Sequence, residues 1–254
     1  MFWQAKPTID PDDEEWQLGA WAWLLDNLGG IDAIRRHPTR FPRNADFPRS
    51  GLSGHAHVEF VFVHLCSLLG LDPAKFELRS QENAINPHLD TFALVQNLPV
   101  EPAGTYQLDE NREIVTYEPS AARDLEHLIS VLAHELCHSI LFSIPTRPAD
   151  WGDNEEFMTD LAVAFHGFGI FSGNQSFQFT QFRDDATGAQ GWSTRRLGYL
   201  TQNEWGFALA MRAVLTGEDI APIKECSSPA LHTHFKKNLK YLSKNRTKTA
   251  ALFG

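Results

Sequence analysis

Residues 128 to 142 read LISVLAHELCHSILF, and this stretch restricts the fold more than any other. It is apolar at helical length, yet its middle carries His134, Glu135 and His138. A helix apolar on most faces belongs inside a core. Two imidazoles and a carboxylate placed there are costly unless something satisfies them. Positions i and i+4 of a helix lie one turn apart on the same face, so both rings can reach a common point. His-Glu-x-x-His on a helix is an arrangement that holds zinc: the imidazoles ligate Zn²⁺, and the glutamate serves as general base. The competing reading is a solvent-facing stripe that spells this pattern by chance. The apolar residues around the motif speak against it.

A zinc site with an open position needs a third protein ligand. The segment NEEFMTDL, residues 154–161, offers Glu156 and Asp160, again spaced i and i+4. One of them can bind the metal while the other accepts the free N–H of a liganding histidine. Carboxylates also favour the positive end of a helix. That accounts for Asp153 and Glu155 but poorly for Asp160, which is followed at once by LAVAF.

His-Glu-x-x-His followed on the next helix by Glu-x-x-x-Asp resembles the gluzincin metallopeptidases, over about residues 103 to 170. The resemblance implies a zincin-like catalytic half, Zn²⁺ as cofactor and a peptide or protein as substrate. It implies His134, His138 and Glu156 as metal ligands, Glu135 as general base and Asp160 as the partner of a liganding histidine. Such enzymes add a His or Tyr that stabilises the oxyanion; Tyr199 and His166 are the candidates, and spacing ties neither to the site. The hairpin expected in TYQLDENREIVTY also fits, since such enzymes lay an edge strand beside the active site. The remaining layout, with an early FW, a Pro-rich loop around Pro42 and GYLTQNEWGFALAM, is similar to an uncharacterised bacterial protein family.

The rest of the chain sets bounds. With 254 residues it can bury a substantial core. Its 22 Lys and Arg against 32 Asp and Glu give a net charge of −10, which argues against a general nucleic-acid binder. Three widely spaced cysteines imply no disulfide framework, and Cys137 faces away from the two histidines. The pairs His55/His57 and His232/His234 lack nearby partners for a metal. No apolar run spans a bilayer and the acidic start is unlike a signal sequence, so the expectation is a soluble cytoplasmic protein with no membrane contact. HFKKNLKYLSKNRTKTAALFG holds six basic residues and no acid and reads as a solvated tail.

Helices are expected over about 16–28, 58–69, 121–142, 154–168 and 203–215, with a strand at FELRS. In the first, Trp16, Trp23 and Leu24 should share a side. The expected class is α+β, with a mostly helical accessory region over 1–102 and a catalytic region with C-terminal helices over 103–254. The expected activity is zinc-dependent hydrolysis of a peptide bond. Two other roles use the same residues: a zinc-stabilised regulatory or interaction protein, and a metal-site sensor acting on one partner.

Overall fold

The computed structural model describes residues 6–47, 49–81, 104–109, 112–148, 150–176, 200–250 and 252, with the backbone alone at 153. The protein is predominantly helical, with one small mixed sheet. Helix α1 (Pro11–Leu28) has proline in its first turn and ends at Gly29, which takes the left-handed conformation. Short α2 (Gly30–Arg36) follows at once, and after a loop α3 (Gly54–Leu69) closes on Gly70. Trp21, Leu24 and Leu25 form the buried side of α1. Trp16 and Trp23, expected there with Leu24, lie half-buried against Phe157 and Trp151 instead.

Strand β1 (Phe76–Ser80) pairs in parallel with β3 (Arg112–Tyr117), and β2 (Gly104–Asp109) pairs antiparallel with β3, in the order β1-β3-β2. The β2–β3 hairpin keeps a register in which Asp109 faces Arg112 and Gly104 faces Tyr117. Strands from both sides of residue 102 therefore share one sheet, and one apolar core runs from Ile9 to Leu242.

Helix α4 (Leu125–Phe142) begins later than the apolar pattern suggested. A 3-10 turn occupies Pro119–Arg123, and the Asp124 side chain then accepts from the Glu126 and His127 N–H groups to cap α4. Leu128, Ile129, Leu132, Ala133, Leu136, Cys137 and Leu141 are all fully buried, so α4 is a central helix rather than a surface one. Each large side chain among them contributes about 1.5–3 kcal/mol on burial.

Helix α5 (Trp151–Phe165) lies one turn earlier than expected. It stops at Gly167, whose φ is 90° and where any Cβ would strike the Pro38 carbonyl oxygen. Residues 169–176 form α6. Helix α7 (Gln202–Thr216) opens with a reciprocal capping box between Thr201 and Glu204. Helices α8 (Ala221–Cys226), α9 (Pro229–Lys244) and α10 (Arg246–Ala250) complete the fold. The basic stretch is thus no solvated tail: α9 buries Leu231, Phe235, Tyr241 and Leu242 and packs along α7. Its lysines occupy the outer face. No helix of the described residues is long and apolar enough to cross a membrane.

Candidate metal centre

Helix α4 supplies His134, Glu135 and His138, all buried. Helix α5 packs against it and supplies Glu156, Thr159 and Asp160. Three atoms converge between them. His134 Nε2 lies 2.9 Å from Glu156 Oε2 and 3.2 Å from His138 Nε2, and His138 Nε2 lies 3.5 Å from Glu156 Oε2. Among the described residues this is the one cluster of His, Cys, Asp or Glu that could hold a metal ion.

Behind the triangle, His134 Nδ1 donates to Asp160 Oδ1 at 3.0 Å, and Asp160 Oδ2 accepts from the Leu200 N–H at 2.9 Å. The carboxylate therefore fixes the ring of His134 with Nε2 facing the centre. Burial alone would lower the pKa of His134. The hydrogen bonds to Asp160 and Glu156 outweigh burial and hold it well above the usual histidine value. Burial works against ionised Glu156 too, but the two histidines hold its carboxyl well below the usual range. Asp160 is pushed up by burial, with His134 pulling it back. The carboxylates around His134 thus favour its charged form.

Glu135 sits beside the triangle. Burial raises its pKa, and the two histidines draw it back. Its Oε1 lies where the first residue of β2 comes closest to α4. A Cβ on Gly104 would be 3.1 Å from that oxygen and 2.6 Å from Val131 Cγ1, so only glycine fits beside the carboxylate. The edge strand β2 thus reaches the site through Gly104 and then Tyr106. The Tyr106 ring lies near-parallel to those of His138 and Phe142, with centroids 6.1 and 5.5 Å away. Its hydroxyl donates to Glu113 at 3.1 Å.

The centre opens on one side. The Glu156 side chain is 39% exposed, against 8% for either histidine. No fourth His, Cys, Asp or Glu joins the cluster among the described residues.

The fold brings His134, Glu135, His138, Glu156 and Asp160 together, but it places His166 elsewhere. That residue caps the C-terminal end of α5, ten positions beyond Glu156 and so about 15 Å along the axis. Its ring meets His37 edge-on at 4.5 Å. That separation keeps His166 from the oxyanion position expected for it. Tyr199, the other candidate, lies outside the described residues. Cys137 is core. His55 contacts the Tyr117 hydroxyl and His57 that of Ser50. Tyr106 and Thr159 were not singled out from sequence; the clue for Thr159 was its position one helical turn from Glu155 and Glu156.

Comparison of the chain with protein-family models, with curated proteins and with solved structures returns no match.

Proposed function

We propose that the protein is a zinc-dependent peptidase of gluzincin-like, zincin-type architecture, with His134, His138 and Glu156 as the protein ligands. The observation that carries this reading is the triangle itself. Zn–N and Zn–O bonds of about 2.0–2.1 Å in a tetrahedron put ligand atoms roughly 3.3–3.4 Å apart. The three edges are 2.9, 3.2 and 3.5 Å. Zinc bound there supplies a Lewis acid that polarises a carbonyl and acidifies water.

The chain's own residues do the rest. Asp160 holds His134 in one tautomer. Buried Glu135 accepts a proton from the attacking water and returns it to the leaving amine. Its raised pKa suits it to both steps. The edge of β2, running past the site, offers main-chain groups to an extended peptide substrate. Three protein ligands and an exposed side favour a catalytic site over a structural one, in which a fourth protein ligand would close the sphere.

The first test is metal content of the purified protein and of Glu156→Ala. About one zinc per chain, lost in the variant, supports the site. Wild-type protein prepared with zinc present and still metal-free would overturn it. Cleavage of an unfolded protein by the zinc-loaded form then separates a general peptidase from a single-partner sensor or a structural zinc protein.

A further inference from the structure

Among the described residues, His138 has no buried carboxylate at hydrogen-bond distance from Nδ1 of the kind Asp160 provides for His134; the nearest partner of that nitrogen is a hydroxyl. Its Nδ1 lies 3.3 Å from Thr159 Oγ1, at a side chain that is wholly buried. The Thr159 hydroxyl also lies 2.9 Å from the Glu155 carbonyl oxygen, to which it donates. A hydroxyl has one proton to give. With that proton spent on the Glu155 carbonyl, Thr159 presents only lone pairs to His138, and the proton between them must come from the imidazole. The nearby Glu155 Oε1, 3.5 Å from the same nitrogen, is likewise an acceptor.

From this bookkeeping we propose that Thr159 is the positioning residue of His138: it fixes the Nδ1–H tautomer and so turns the Nε2 lone pair into the triangle. The inference rests on the metal-site reading above and adds to it an assignment that can be tested without metal. One helix, α5, then carries a ligand at Glu156 and the supports of both histidines at the two positions 159 and 160.

There is a physical reason for a hydroxyl here rather than a second acid. Glu135, Glu155, Glu156 and Asp160 already place four carboxylates around two imidazoles. Another fully buried charge would add desolvation cost that one divalent cation does not compensate. A threonine held by a main-chain carbonyl orients the ring at no cost in charge.

Long-range ¹H–¹⁵N spectra of the full chain, metal-free and near neutral pH, distinguish the two imidazole tautomers. Competition with a chromophoric chelator gives the Zn²⁺ affinity. His138 should be Nδ1–H in the wild type. Thr159→Val should move it toward Nε2–H and weaken zinc binding about tenfold or more. Thr159→Ser, which keeps the hydroxyl, should restore both, and far-UV circular dichroism checks that each variant folds. An Nε2–H tautomer in the wild type overturns the proposal, as does a valine variant with tautomer and affinity unchanged. Wild-type protein that binds no zinc overturns the metal reading instead. In that case the metal-free spectra still decide the role of Thr159.

Discussion

Glu135 is the residue on which the proposed chemistry turns. Its carboxyl is buried and raised in pKa, yet a general base must be ionised to act. Activity should therefore fall as pH drops through a value above that of an ordinary glutamate, and kcat/KM against pH would show the displaced limb. Glu135→Gln should keep its zinc and lose turnover by a factor of about 10²–10⁴. A variant that loses zinc instead would make Glu135 a structural support. These residues are readable from sequence because helical periodicity sets His134 with His138, and Glu156 with Asp160, on one face of each helix; that the two faces meet comes from the packing of α4 on α5. Tyr106 is not readable. It reaches His138 through a strand whose place depends on pairing with β3 and packing on α4, and no local pattern encodes that.

Between elements, the tightest point is where β2 meets α4 at Gly104. Gly104→Ala would set a methyl against Val131 Cγ1 and Glu135 Oε1. The expected cost is about 1–3 kcal/mol of stability, together with reduced turnover because the carboxylate is displaced. Adding Val131→Ala should recover part of the stability, because that variant removes the closest contact, and little of the turnover. Urea unfolding and steady-state rates on the single and double variants would separate the two effects. The boundaries of the elements were less legible than their identities. Apolar spacing continues through Ala121 and Ala122, but Asp124 starts α4 by capping it. Likewise α5 ends early because Gly167 must pass close under Pro38. The basic C-terminal stretch is no tail because Phe235 and Leu242 within it, with Leu231 just before it, recur at helical spacing and bury one face of α9.

At the scale of the molecule, buried Arg212 on α7 joins distant segments. It donates to the Ala164 and Phe165 carbonyls at the end of α5, to the His37 carbonyl and Thr39 hydroxyl, and to Glu218. Arg212→Met should cost about 3–5 kcal/mol, read as a lower urea midpoint, because it takes the arginine donor from the Phe165 and His37 carbonyls and the cation from Glu218. Next to it, neither ring nitrogen of His166 is hydrogen-bonded among the described residues, and burial pushes its pKa from 6.5 down to about 3. The folded form keeps this ring neutral while the unfolded chain protonates it. Its contribution is therefore complete above pH 6.5 and is lost as pH falls toward 3, by up to about 5 kcal/mol. In His166→Phe that part of the acid dependence should vanish, which unfolding free energies measured across this range would show; an unchanged slope would place the acid sensitivity elsewhere. Neither contact was legible in the sequence, since both depend on segments more than a hundred residues apart meeting in the core.

The compact spacing of the proposed metal ligands has a consequence for biosynthesis. His134 to Asp160 form one helical hairpin, whereas the Leu200 N–H that seals Asp160 lies forty residues further along the chain. Synthesis therefore completes the proposed ligand set before the residue that bonds Asp160 has been made. On the proposed reading, zinc taken up at that stage enters by a route other than the exposed side of Glu156 that the finished protein keeps. Nascent chains arrested between these two points should exchange zinc faster than the released product, and equal exchange rates would exclude such a route.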